Sequence, residues 1–185
     1  MQGSEPNGDI WIYGYGSLMW RPDFPHVETQ PALVRGYHRA MCVYSVRYRG
    51  TSECPGLVLG LDRGGACRGR AFRVAAADAE KVIAYLDERE MPNKVYVPTW
   101  LKTEIPGRTV RAYGFVVRRD HVQYAGKLPT EKAVELILQG HGSGGPCLDY
   151  MRNTVRHLDE LGISDGQLHR VLAEVERIAE RDRSA

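Results

Sequence analysis

The 185-residue chain has only four cysteines, Cys42, Cys54, Cys67 and Cys147, and no two of them form a Cys-x-x-Cys pair. That spacing excludes a zinc ribbon and a thioredoxin-type redox motif, and the thiols read as free, most of them as small core residues. The six histidines form no His-Glu-x-x-His or other paired-ligand pattern, so no bound metal is expected. No apolar run is long enough to span a bilayer, and no membrane partner is expected. An excess of one charge is missing as well: 25 Lys and Arg stand against 23 Asp and Glu, a formal net charge of +2. Without a basic run interleaved with aromatics, nucleic acid is not an expected partner. Residues 1–9 lack both the basic and the apolar region of a secretory signal, so they read as a flexible lead-in and the protein is expected in the cytoplasm.

What is present is an ordinary globular balance, 43% hydrophobic and 26% charged, in a chain long enough to bury its own core. The first half reads as short strands punctuated by glycine and proline: Ile10–Tyr13, Leu33-Val34, Met41–Tyr44, Gly56–Leu61 and Gly69–Val74. A helix is predicted from Asp78 to about Glu90, stopped by Pro92, and strands resume over Val97–Ile105 and Val110–Val117. The last third is helical. Stripes run through Val134, Ile137 and Leu138, then Leu148, Met151, Val155, Leu158 and Leu161, then Leu168, Val171, Leu172, Val175 and Ile178. Gly162 closes the second of these helices. Residues 10–185 are therefore expected to form one α+β domain, a mostly antiparallel, barrel-like sheet with flanking helices and a helical C-terminal third. No heptad seam points to an oligomer, and a monomer is expected.

In the helix from Asp78, the buried face is set by Ala79, Val82, Ile83 and Leu86, at i, i+3, i+4 and i+7. Four residues on from Leu86 stands Glu90, a carboxylate continuing the core stripe at the end where the helix dipole disfavours negative charge. Desolvation and dipole both push a carboxyl pKa upward, as a base that later returns its proton near neutrality requires. The alternative is a solvated helix end where Glu90 pairs with Arg89 or another arginine.

Directly after the first strand comes Gly14-Tyr15-Gly16-Ser17-Leu18. A tight turn with two glycines can present successive backbone N–H groups to a carboxylate or a developing oxyanion; it can also be a plain β-turn. Met19 stands where a dinucleotide fingerprint needs its third glycine, and Gly16 where a nucleophile elbow needs its serine. A second glycine-rich stretch, Gly140–Pro146, lacks the Gly-Lys-Ser/Thr ending of a phosphate loop and reads as a connection or as a loop lining a cleft.

Several blocks in order and spacing give the chain a family resemblance. Tyr13-Gly14-Tyr15-Gly16-Ser17-Leu18-Met19-Trp20 precedes Asp23-Phe24-Pro25, and Ser45-x-x-x-Arg49-Gly50-Thr51 precedes Pro55-Gly56-Leu57-Val58. Next come Tyr85-Leu86-Asp87-x-Arg89-Glu90, Asp149-Tyr150, and Leu158-x-x-Leu161-Gly162-Ile163-x-Asp165. These resemble the ChaC proteins, glutathione-specific γ-glutamylcyclotransferases, over residues 10 to about 178.

The resemblance implies a lyase of γ-glutamylcyclotransferase fold that converts glutathione into 5-oxoproline and Cys-Gly by intramolecular cyclisation. It implies that the Gly14–Leu18 turn, with Tyr13, Tyr15, Gly16 and Ser17, holds the γ-glutamyl group, and that Glu90 is the general acid/base. It further implies substrate contacts from Ser45, Arg49 and Tyr150, with no metal and no organic cofactor. For Arg49 a solvated strand position is the alternative, for Tyr150 packing at a helix start. For Tyr13 and Tyr15 a division between core and pocket is expected. The chain departs from the pattern in two places: Met91-Pro92-Asn93-Lys94-Val95-Tyr96 replaces a Lys-Gly-Gly-Tyr run, and Cys147 replaces an Asn. Two other readings therefore remain: the same chemistry on other γ-glutamyl peptides or amines, and a non-catalytic regulatory module on the same fold.

Overall fold

The computed structural model describes residue 5 and residues 7–183. Of the expected lead-in, residues 1–4 and 6 lie outside the described residues, as do 184 and 185 of the expected domain. Within the lead-in, Glu5 accepts a bond from the Trp11 indole at 2.8 Å, and the Asp9 carboxylate lies 2.7 Å from the Arg73 guanidinium.

The chain divides into two compact units, one made of residues up to Arg39 with Leu61–Arg118, the other of Ala40–Gly60 with residues from Arg119 on. Five strands, β1 (Ile10–Gly14), β2 (Glu28–Ser45), β3 (Gly56–Val74), β4 (Tyr96–Ile105) and β5 (Arg108–Val117), close a barrel in the order β1-β3-β2-β4-β5. The β1–β3, β2–β4 and β4–β5 pairs are antiparallel, whereas β1 and β5 run parallel, with Trp11 opposite Ala112 and Ile12 opposite Tyr113. The barrel is thus mixed, with an antiparallel majority.

In the first unit, β1 is buried on both faces. Trp11 and Tyr13 point among Val34, Leu61, Cys67, Ala71, Leu101 and Ala112. Ile10 and Ile12 point the other way, among Leu18, Phe24, Phe72 and Val74 and the helix α1 (Ala79–Glu90). Helix α1 lays Ala79, Val82 and Leu86 on this second cluster, with Ile83 half-buried beside them. It stops at Met91, whose N–H donates to the Asp87 carbonyl at 3.1 Å, because Pro92 cannot continue the ladder.

In the second unit, the ends of β2 and β3 accompany α2 (Thr130–Gln139), a two-stranded hairpin of β6 (His141–Gly142) and β7 (Gly145–Pro146), α3 (Cys147–Glu160) and α4 (Gly166–Arg183). Their core includes Leu57, Leu59, Ile137, Met151, Leu158, Leu168 and Val175. Helix α3 ends in paired bonds from Gly162 N–H to the Asp159 carbonyl and from Ile163 N–H to the Leu158 carbonyl, the Schellman arrangement that stops a helix.

The strands differ from the sequence reading in length. Leu33-Val34 and Met41–Tyr44 are pieces of one 18-residue strand, and Gly56–Leu61 and Gly69–Val74 pieces of one 19-residue strand. The glycines that seemed to separate them are Gly36, Gly64 and Gly65, at φ of +83°, +102° and +70° inside the strands. Glycine at such angles bends a continuing strand as well as it ends one, and the sequence pattern is the same in both cases.

Candidate active site

The last turn of α1 and the turn after β1, both in the first unit, form the first cluster of predicted residues. Extending the buried stripe of α1 by one turn leaves the Glu90 side chain only 23% exposed. Burial pushes its carboxyl above the ordinary glutamate value, and the charge of Arg89 pulls it partly back. The Nε of Arg89 lies 3.1 Å from Oε1 of Glu90. Its Nη2 donates to the Ser17 hydroxyl at 3.4 Å, while Nη1 reaches the carbonyls of Arg21 and Pro22, the Tyr85 hydroxyl and the Asp23 carboxylate. The helix itself is held by the Tyr113 hydroxyl, which donates to the Asp87 carboxylate at 2.7 Å.

Beyond Gly14 the chain leaves β1 and turns into a single 3₁₀ turn over Ser17–Met19. A Cβ on Gly14 would meet the Leu18 Cβ at 3.1 Å and the Met19 nitrogen at 3.3 Å, so the turn folds tightly back on the strand end. Met19 N–H donates to the Gly16 carbonyl, and Trp20 and Arg21 N–H to the Ser17 carbonyl. Among the described residues none accepts from the N–H of Gly16, Ser17 or Leu18, the ordinary condition of the first groups of a helix. Three consecutive donors without an internal acceptor suit a carboxylate or an oxyanion. Leu18 and Met19 are buried and anchor the turn.

The two tyrosines differ in burial but belong to the same packing cluster. Tyr13 is wholly buried in the barrel, where its hydroxyl donates to the Cys67 carbonyl at 2.8 Å and burial holds its pKa well up. Tyr15 is half-buried and packs against the same cluster.

Ser45, Arg49 and Tyr150 lie in the second unit and form a cluster of their own. The Ser45 hydroxyl is buried and accepts from the Arg49 N–H at 3.0 Å, closing the turn that carries the arginine. The Arg49 guanidinium donates to the carbonyls of Gly144 and Pro146, and lies 5.5 Å from the Tyr150 ring centre. The Tyr150 hydroxyl accepts from the Leu59 N–H at 3.2 Å. The glycine-rich stretch is the β6–β7 hairpin, fastened by bonds from Ser143 and Gly144 N–H to the carbonyls of Arg47 and Tyr48. Cys147 has a buried thiol that donates to the Leu57 carbonyl at 3.0 Å and accepts from its N–H at 3.3 Å.

Sequence reasoning gave Arg89 only as an ion-pair partner of Glu90 in the alternative of a solvated helix end, and assigned no role to Arg39. Arg39 is buried and donates to the carbonyls of Tyr15 and Arg68, both at 2.6 Å. An arginine followed by the apolar run Ala40-Met41-Cys42-Val43 was the available signal. Among the described residues no three His, Cys, Asp or Glu side chains converge as metal ligands. No helix among them is long and apolar enough to cross a membrane.

Comparison with known proteins gives a consistent family. The family described as ChaC-like protein matches residues 10–178. The glutathione-specific gamma-glutamylcyclotransferase of Escherichia coli K12 is 34% identical over 172 residues, covering 92% of this chain and 74% of its own length. The human glutathione-specific gamma-glutamylcyclotransferase 1 is 33% identical over 147 residues, covering 77% of this chain and 66% of its own. A crystal structure of a yeast gamma-glutamyl cyclotransferase specific to glutathione superposes with a TM-score of 0.84 over 92% of this chain and 97% of that one. At 19% identity, that likeness speaks for the fold.

Proposed function

Because the chain belongs to the ChaC-like family, we propose that it is a glutathione-specific γ-glutamylcyclotransferase with Glu90 as its acid/base. The observation that carries the assignment of Glu90 is its setting, a largely buried carboxylate on the last turn of α1, linked through Arg89 to the glycine turn. In this reading the N–H groups of Gly16, Ser17 and Leu18 receive the γ-glutamyl group. Glu90, ionised, takes a proton from the substrate's α-ammonium group. The freed amine attacks its own γ-carbonyl carbon, a five-membered ring closes, and the carbonyl becomes a tetrahedral oxyanion beside the turn's N–H groups. The C–N bond to cysteine then breaks, and Glu90 returns the proton to the departing nitrogen. The products are 5-oxoproline and Cys-Gly, with no water consumed and Glu90 ionised again.

The attack is intramolecular, so holding a folded conformer supplies much of the acceleration, and no protein nucleophile is required. Burial of Glu90 serves the cycle because a carboxylate with a raised pKa is a stronger base toward the ammonium group and keeps the proton until the departing nitrogen takes it. The same reading has the enzyme act as a monomer in the cytoplasm on a small molecule, without metal or cofactor. For Ser45, Arg49 and Tyr150 the bonds within their own unit favour holding the Arg49 turn and the hairpin together.

The test is incubation of purified protein with reduced glutathione, with 5-oxoproline and Cys-Gly followed by mass spectrometry. Equimolar products are expected. Turnover of other γ-glutamyl peptides but not of glutathione would transfer the activity to those substrates. Binding without any turnover would leave a regulatory module.

A further inference from the structure

We propose that Arg89 is the positioning residue of this site, aiming the Glu90 carboxylate and tying it to the glycine turn. The proposal rests on the reading of Glu90 as acid/base. All three nitrogens of the guanidinium have partners. Nη1 is anchored on one side, at 2.9 Å from the Arg21 carbonyl and 3.3 Å from that of Pro22, 3.1 Å from the Tyr85 hydroxyl and 3.3 Å from the Asp23 carboxylate. These contacts restrain the guanidinium, and with it the two remaining nitrogens. Nε lies 3.1 Å from Oε1 of Glu90 as an ion pair, and Nη2 donates to the Ser17 hydroxyl at 3.4 Å. The base and the turn that would receive the developing oxyanion thus share one rigid planar link.

Its charge has a second effect. Among the described residues, Arg89 is the cation within ion-pair distance of Glu90. Asp23 faces Arg89 rather than Glu90, with Arg21 3.9 Å from it, and Asp87 on the same helix is engaged by Tyr113. Burial drives Glu90 toward the neutral form, and Arg89 opposes it, keeping enough carboxylate to begin the reaction. Lysine at this position keeps a charge but has one compact ammonium in place of three directed edges.

Arg89→Met and Arg89→Lys in the full chain separate the two effects. Turnover of glutathione is measured across pH, and the Glu90 carboxyl is titrated by carbon NMR, its signal identified as the one absent from Glu90→Gln. In Arg89→Met the Glu90 titration and the acidic limb of kcat/KM both move to higher pH, and the plateau kcat falls roughly 10- to 100-fold. In Arg89→Lys the limb stays near that of wild type while the plateau still falls. A wild-type plateau in Arg89→Lys overturns the positioning role, even if Arg89→Met does not fold. An unmoved Glu90 titration in a folded Arg89→Met overturns the electrostatic one. If the wild type turns over no γ-glutamyl compound, the functional reading fails separately, because the NMR titration needs no turnover.

Discussion

Nε of Arg39 donates to the carbonyl of Tyr15 at 2.6 Å, and the same buried guanidinium donates to the carbonyl of Arg68 at 2.6 Å. The glycine turn is therefore held at its start by a side chain from β2, as it is held further on by Arg89 from α1. Replacing Arg39 with methionine keeps the apolar stem and leaves two carbonyls without these donors. A loss of about 2 kcal/mol or more is expected in urea unfolding, together with a higher KM for glutathione. Unchanged stability and KM would remove Arg39 from the support of the turn.

Glu90→Gln tests the acid/base and burial together. Activity is expected to drop roughly 10²- to 10⁴-fold, the range for loss of a general acid/base. Stability should move the opposite way. A carboxyl raised by burial favours folding when protonated, a contribution present below the ordinary glutamate value of 4.5 and lost as pH rises through the folded value. The glutamine variant therefore melts above wild type at neutral pH, and the difference closes as pH falls below 4.5. A constant difference across that window would mean that Glu90 is solvated.

Gly140→Ala should damage the second unit without touching Glu90. A Cβ there would collide with the Arg49 carbonyl, the Gly56 Cα and the Cys147 Cβ, which are backbone or rigid atoms. The expected cost is about 3 kcal/mol in thermal or urea unfolding. Gly107→Ala, at φ +78° in open space, is the control, with a cost near 1 kcal/mol from its backbone angle alone. Equal costs would contradict the packing argument.

Thiol titration checks the burial of the cysteines. Cys54 is exposed, whereas Cys42, Cys67 and Cys147 are buried, and desolvation lifts the Cys147 thiol to about 11. At pH 8 the folded protein should present Cys54 to a disulfide reagent at once, and the other three only as urea unfolds it. Fast modification of Cys147 would contradict its place between the two bonds to Leu57.

Much of this was legible in the residues, unevenly and for identifiable reasons. Helix α1 declares itself because one face is buried and the other wet, so its period is visible and Glu90 stands out as its continuation. Strand β1 is covered on both faces, so Ile10-Trp11-Ile12-Tyr13 shows no alternation, and nothing in it says that Tyr13 faces the barrel interior. The helical stripes of α3 and α4 were found, and α3 begins at Cys147, one residue before the first stripe position, Leu148. Arg39 was hidden for a general reason: its partners are carbonyls from distant parts of the chain, and a carbonyl leaves no mark in a sequence. The motif placed Glu90 in a family, but the anchoring of Arg89 by Arg21, Pro22 and Asp23 is a property of the folded turn.

The fastening of Arg49 to the Gly144 carbonyl joins residues 95 apart in the chain. During synthesis at ~5–20 residues per second, about 5–20 s separate the emergence of the two ends. Through that interval the segment that carries Arg47, Tyr48, Arg49 and the Cys54 thiol has no hairpin to close on, and the growing chain must keep it from other partners. Loop closure over such a span comes late in folding, after the local helices. The segment is among the first made and the last secured.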